Sequence, residues 1–316
     1  MTTRLRIGIS SCLLGHRVRY DGGHKRDHYL TDTLGRFVEF VPVCPEVECG
    51  LGVPREPMRL EGSPGSPRLV TARSRIDLTA RMVSWAQEKV RQLEREGLCG
   101  FIFKSKSPSS GMQGVKIYND RGVVYKRGTG IFAGIFIEHF PLVPVEDEAR
   151  LHGMGIRENF IQRIFALKRW RELLADRPGR QELLSFHARE RLAILSHSAR
   201  HYRLMEKLTA ENGKLPRGEL YSKYESLFLQ ALQLKTTVKK NVKVLRHILA
   251  YLEKELTGNE KQELVEVIEQ YEQEFIPLIV PLTISKHYVQ KYGQQHLLEQ
   301  VYLNPQPLET RLTNHV

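Results

Sequence analysis

Short apolar runs alternate with helix-spaced segments over the first 146 residues, and this alternation constrains the fold more than any other feature of the chain. Leu5 to Ser10, Phe37 to Val43, Gly100 to Lys104 and Leu142 to Val145 read as strands, with Leu69-Val70-Thr71 a shorter one. Leu78 to Glu96 has helical spacing through Met82, Trp85, Val90 and Leu93, and Gly97 stands where such a helix should stop. Gly130 to His139 reads as a second helix, and a helix-like piece lies near His28 to Leu34. Val115–Tyr118 and Val123–Tyr125 flank the hairpin turn Asn119-Asp-Arg-Gly122. The alternation predicts an α/β domain, a small Rossmann-like, mostly parallel sheet with helices on both faces.

In such a sheet the loops leaving the carboxyl ends of the strands gather along one rim. Those loops carry Cys12, then Cys44-Pro-Glu-Val-Glu-Cys-Gly50, then Ser105-Lys-Ser-Pro-Ser-Ser-Gly111. Cys12, Cys44 and Cys49 are thus expected at one crevice. Cys99 precedes a strand at the opposite end and reads as a core thiol. No close C-x-x-C pair or paired-His motif is present, so a zinc ribbon or finger is excluded. Three thiolates with one position left open suit an iron–sulfur cluster, inert loop thiols being the other reading. Taken singly, Glu46 reads as a surface carboxylate, Arg55 as a salt-bridge partner and Ser107 as a turn residue.

After Glu146 the texture changes to long helical segments, roughly Arg157–Leu174, Gln181–Ala199, Tyr221–Leu256 and Glu260–Tyr271, with a shorter one near Ser285–Tyr292. This is an all-α domain, and the expected division is 1–148 and 149–316. Pro277 and Pro281 are expected to prevent a regular helix across Ile276–Leu282. The 316-residue chain carries 48 Lys and Arg against 36 Asp and Glu, a net charge of +12, so a polyanion is the expected partner, nucleic acid first. At about 100° per residue, Lys235, Lys239, Lys243 and Arg246 fall on one stripe beside the apolar Val238, Val242, Leu245 and Leu249. Like charges on one face repel unless an anion meets them, which suggests phosphate contact; a solvated lysine face is the alternative. Arg163, Lys168, Arg169 and Arg171 form another basic cluster. No apolar run approaches the roughly 20 residues of a membrane span, and the first residues lack a signal peptide's apolar region. A cytoplasmic protein with reduced cysteines is expected, with no membrane partner.

Ser11-Cys-Leu-Leu-Gly15, Val18-Arg-Tyr-Asp-Gly22, Cys44-Pro-Glu46, Gly50-Leu-Gly-Val-Pro-Arg55 and Ser107-Pro-Ser-Ser-Gly111 together resemble the thiouracil desulfidase (TudS) family. The helical half is similar to the YbgA-type domain through Asn241-Val-Lys-Val-Leu-Arg-His247, Tyr271, Pro277-Leu-Ile-Val-Pro-Leu282, Lys286-His-Tyr288 and Gln300-Val-Tyr302. The two joined look like the RudS-type tRNA 4-thiouridine desulfidases. The resemblance implies a 4Fe-4S cluster on three cysteines, leaving one iron open. It implies Cys12 and Cys44 as ligands. The family's third cysteine, in Ser-Pro-Ser-Cys-Gly, is replaced here by Ser110, which leaves Cys49 on the same rim as the expected third ligand. It also implies Glu46 as the general base that activates water at C4 of the thiolated base. Ser107 is expected to hydrogen-bond the base, and Lys104 or Lys106 to offset developing charge. The expected substrate is tRNA gripped by the helical domain. Free thiobases such as thiouracil, or a non-catalytic iron–sulfur RNA-binding or sensor role, are the alternatives.

Overall fold

The parallel sheet predicted from the alternation is present, and it is one of two sheets. The structure, a computed structural model, describes residues 5–119, 124–210 and 215–305. The strands are β1 (Leu5–Ser10), β2 (Val38–Val43), β3 (Met58–Ser63), β4 (Ser66–Thr71), β5 (Gly100–Phe103), β6 (Val115–Tyr118), β7 (Val124–Gly128) and β8 (Val145–Asp147). β2, β1, β5 and β8 form an all-parallel sheet in that order. The second sheet has the order β4-β3-β6-β7 and is mixed, with only β3 and β6 parallel. The expectation of a single sheet missed β3. Its Met-Arg-Leu-Glu-Gly-Ser pattern places a charge where an apolar residue would signal burial. Glu61 is nonetheless buried, because Arg59 and Arg75 both pair with its carboxylate. β6 and β7 pair antiparallel as a hairpin, whose turn beyond Asn119 lies outside the described residues.

The helices are α1 (Pro45–Glu48), α2 (Thr79–Glu94), α3 (Ile131–His139), α4 (Glu148–Leu151), α5 (Met154–Ala175), α6 (Arg180–His197), α7 (Ala199–Ala210), α8 (Arg217–Gln233), α9 (Val238–Leu252), α10 (Gly258–Glu272), α11 (Ile279–Lys291) and α12 (Gln295–Leu298). The predicted piece near His28–Leu34 is an irregular pair of short turns over Tyr29–Thr33 and Leu34–Arg36. The chain divides into two compact units between Lys168 and Arg169, inside α5. The composition changes earlier, near residue 148, but no break interrupts the helix that follows.

In the first unit, Phe101 and Phe103 of β5 meet Phe132 and Phe136 of α3, the Phe101–Phe136 rings lying 4.6 Å apart. The β1 strand reaches this cluster only because residue 8 is glycine. A Cβ there would lie 2.2 Å from the Phe101 ring.

In the second unit one sequence expectation fails and another, that no regular helix spans Ile276–Leu282, holds only as far as Leu278. The helix expected over Tyr221–Leu256 is two helices, α8 and α9, separated at Leu234–Thr237. Thr237 caps α9 by accepting a hydrogen bond from the Lys240 amide, a role that competes with continuing the preceding helix. Pro281 sits inside α11. It falls in the first turn, where an amide has no intrahelical partner and proline is tolerated. Trp170, Phe186, Tyr224 and Phe228 form the aromatic centre of this unit.

His187 is buried against that centre. Its Nδ1 lies 3.1 Å from the Tyr224 hydroxyl, and its Nε2 has no partner among the described residues. Burial pushes its pKa down to about 4 from 6.5, against a smaller opposing pull from Glu206 and with Arg191 helping to lower it. The unfolded chain therefore binds the extra proton first, so stability is full above pH 6.5 and is lost as the pH falls towards 4. A gap of about 2.5 pH units at 1.36 kcal/mol each gives about 3 kcal/mol. Denaturant unfolding at pH 7 and pH 4.5 should show most of that loss, about 2.5 kcal/mol, in the native chain and much less of it in His187→Gln. An equal loss in both removes His187 as its source.

Candidate active site

Because β2, β1 and β5 are adjacent and parallel, their carboxyl ends open on one side. A cavity of about 540 Å³ lies there, lined by residues following each of the three strands. β1 continues as a single 3-10 turn, Ser11–Leu14, closed by Gly15 at φ 94°, a left-handed conformation suited to glycine. The Cys12 carbonyl accepts from the Lys25 amide at 2.9 Å, which fixes this turn beneath the following loop. β2 ends in Cys44, the N-cap of α1, whose amide donates to Glu48 Oε1 at 2.7 Å. Cys12 and Cys44 both line the cavity.

Burial pushes the Cys12 thiol up to about 11; the neighbouring Lys104 charge opposes this and the Cys44 thiol adds to it. Burial likewise raises Cys44. Two thiols held together and disfavoured as thiolates need a cation to deprotonate, as metal-binding thiols do.

The carboxylate of Glu46 faces the same space. Arg55 pairs with its Oε2 through two nitrogens, Nε at 3.0 Å, and is itself anchored on the Val18 and Gly52 carbonyls at 2.9 and 3.1 Å. Ser109 Oγ donates to Glu46 Oε1 at 2.8 Å and lies 3.0 Å from Ser107 Oγ. Ser107 Oγ accepts from the Ser110 amide at 3.1 Å, so the predicted Ser107 acts within the loop and reaches Glu46 through Ser109. The serine loop is held by α3, whose first amides donate to its carbonyls: Phe132 to Ser109 at 2.9 Å, Gly130 to Gly111 at 2.7 Å. Gly130 has to be glycine, since a Cβ would lie 2.5 Å from the Ser109 backbone. Lys104 pairs with Glu148, and its Nζ donates to Ser105 Oγ at 3.0 Å, so its charge is shared at the cavity edge beside Cys12. That partner, together with Ser105, holds the Glu148 carboxyl below its ordinary range although burial opposes them.

Cys49 is placed differently. It closes α1 with its side chain in an apolar cluster with Leu60, Leu69, Met82, Val115 and Ile117, its Sγ donating to the Glu46 carbonyl at 3.3 Å. It is not on the cavity wall, whereas Ser110 is. Among the described residues no three His, Cys, Asp or Glu side chains are grouped as a metal site. Sequence reasoning did not find Ser109 or Glu148. Ser109 lies in a loop expected at the rim but is not distinguished there from its neighbours, and nothing local marks Glu148, which only the strand order brings to the thiols.

Of the basic stripe, Lys239 and Lys243 project from α9 and are exposed. Lys235 precedes the Thr237 cap and so is not on the helix. Arg246 pairs with Glu272 of α10 at 2.6 Å. In the other basic cluster, Arg169 pairs at 2.6 Å with the buried Glu190, a structural use of its charge. No described helix is long and apolar enough to cross a membrane.

Residues 7–148 match the family model described as 2-thiouracil desulfurase. The uncharacterised protein YbbK of Bacillus subtilis (strain 168) is 31% identical over 111 residues, covering 33% of this chain and 72% of YbbK. The chain belongs to the 2-thiouracil desulfurase family. Outside that match, residues 191–307 match a family described as a protein of unknown function, DUF1722. The uncharacterised protein YbgA of Escherichia coli (strain K12) is 29% identical over 146 residues, 46% of this chain and 86% of YbgA. Among solved structures, the 4Fe-4S-dependent thiouracil desulfidase TudS is 32% identical, covers 49% of this chain and 97% of its own, and superposes with a TM-score of 0.41.

Proposed function

We propose that this member of the desulfurase family is an iron–sulfur-dependent desulfidase whose substrate is 4-thiouridine in tRNA, exchanging the thiocarbonyl sulfur for a water oxygen without net redox change. The observation that carries the reading is a carboxylate beside two half-buried thiols in one cavity. The donor set suits the cofactor: Cys12 and Cys44 on the wall are soft ligands that burial disfavours as free thiolates. Cys49, behind α1, is the proposed third ligand. When bound, a 4Fe-4S cluster supplies a soft Lewis acid matched to a thiocarbonyl sulfur.

The chain's own residues supply the rest. Glu46 is oriented from one side by Arg55 and from the other by Ser109. Its Oε1 accepts one bond from Ser109 and has a second lone pair with which to take a proton from water. Ser107 and Ser109 hold that carboxylate in position, and the Lys104–Glu148 pair keeps positive charge next to Cys12. The base must leave its stack to enter a cavity of about 540 Å³ at the sheet rim. Phosphates of the same tRNA would meet Lys239 and Lys243.

Anaerobic incubation of cluster-loaded protein with thiolated tRNA should remove the thiouridine absorbance. Persistent absorbance with an intact cluster refutes the activity. Lys239→Ala with Lys243→Ala should weaken tRNA binding about ten-fold and leave turnover of free thiouracil unchanged. Unchanged tRNA affinity would assign the helical unit another role.

A further inference from the structure

We propose that a second cavity, adjoining the first, seats a phosphate and flanking nucleotide of the substrate, so that the first unit itself selects single-stranded polynucleotide over free base. This rests on the desulfidase reading above and deepens it. The second cavity has a volume of about 480 Å³ and shares Met58, Lys106 and Pro108 with the first, so a chain entering one continues into the other. Its remaining wall includes Arg59, Lys116 and Tyr118. Among the described residues, three cations and no carboxylate line it.

The second sheet sets this arrangement. β3 and β6 run parallel with Leu60 opposite Ile117, which brings Arg59 beside Lys116 on neighbouring strands. Val115 and Ile117 point into the core and Lys116 outward. The Arg59 guanidinium lies 5.2 Å from the centre of the Tyr118 ring. A guanidinium packed on an aromatic ring is the kind of surface on which unpaired bases stack, with Met58 and Pro108 as apolar walls.

Arg59 also pairs with Glu61, but Glu61 is buried and shared with Arg75, so the groove keeps its positive sign. Neither Lys106 nor Lys116 pairs with a carboxylate among the described residues. Lys106 is exposed where the two cavities join, and its φ of 58° is a left-handed conformation that a side chain other than glycine or asparagine rarely adopts. Lys106 thus places a cation where the two cavities join, the point that a phosphodiester linking an inserted base to its neighbour would cross.

The test uses the full-length chain carrying Lys239→Ala and Lys243→Ala, so that the helical unit does not mask the signal. Anisotropy of 5′-labelled hexauridylate is measured over a range of salt for this chain, for the same chain with Lys116→Glu, and with Lys116→Arg. Lys116→Glu should weaken binding about ten-fold and flatten the salt dependence by about one ion, Lys116→Arg should bind like the parent, and thiouracil turnover should not change in either. Equal affinity of parent and Lys116→Glu overturns the proposal. Loss of hexauridylate binding in a protein that desulfurates nothing would leave the phosphate site standing and refute the activity instead.

Discussion

Glu46→Gln should lower desulfuration at least about 100-fold while the chain still folds and still takes up iron. A positioned general base contributes about 10² to 10⁴ in rate, and an amide cannot accept the proton. Gln keeps the shape: its carbonyl oxygen can still accept from Arg55, while its NH2 takes the place of Oε1 and can only donate towards Ser109 Oγ. The charge is lost, however, opposite an Arg55 side chain that is only 8% exposed. A cost of about 3 kcal/mol in unfolding free energy is expected, because an arginine is left buried without its counter-ion. The two losses separate by comparison with Ser109→Ala, which removes a charge-assisted hydrogen bond to Glu46, about 2 kcal/mol, together with the Ser107 contact, and leaves the base in place. Turnover of Glu46→Gln within a few-fold of native removes Glu46 from the chemistry. The same substitution distinguishes a catalyst from an iron–sulfur RNA-binding protein, since binding should survive it.

Cys12→Ser and Cys49→Ser should each reduce bound iron and sulfide at least about ten-fold, whereas Ser110→Ala should leave both near native. The readouts are iron and sulfide content, visible absorption and the electron paramagnetic resonance of the reduced sample, none of which depends on turnover. The Cys49 arm is decisive because that thiol faces the apolar cluster of Leu60 and Met82, with its proton on the Glu46 carbonyl. For it to serve as a ligand, the C-terminal end of α1 has to turn towards the cavity. That motion has to break the bond from Arg81 Nε to the Cys49 carbonyl at 2.7 Å and the Lys89–Glu48 pair at 2.7 Å, which the ligand bond would have to offset. Full iron in Cys49→Ser together with loss in Ser110→Ala would transfer the third position to the hydroxyl.

Much of the site was legible because strand ends are written locally. The apolar runs ending at Ser10, Val43 and Phe103 identified the three loops, and parallel topology required them to meet. What the chain does not write locally is which way a side chain turns after the strand ends. Cys44 and Cys49 are equally polar loop thiols in sequence, yet one caps α1 at its cavity end and the other closes it against the core. The second sheet was hidden for a related reason. A buried carboxylate such as Glu61 looks like a surface residue until its two arginines, one on the same strand and one in a later turn, are known. In the helical unit, the periodicity of Tyr221–Leu256 survived the break at Leu234–Thr237, and only the Thr237 cap revealed it.

β1 and β2 pair without a bulge from Leu5 opposite Val38 to Ser10 opposite Val43, and the two wall thiols follow within two residues of that last rung. Their separation is therefore inherited from the spacing of a ladder, about 4.8 Å per strand, and not from the loop that joins the strands. Within residues 15–37, changes of length leave the sulfurs in place only outside the stretch whose Lys25 and Asp27 amides hold the Cys12 and Leu13 carbonyls. A single residue gained or lost within either strand would turn one of the thiols to the opposite face. Sequence drift in this unit is thus filtered by position, severe within the two strands and where the joining loop is bonded to the Cys12 turn, lenient elsewhere in that loop.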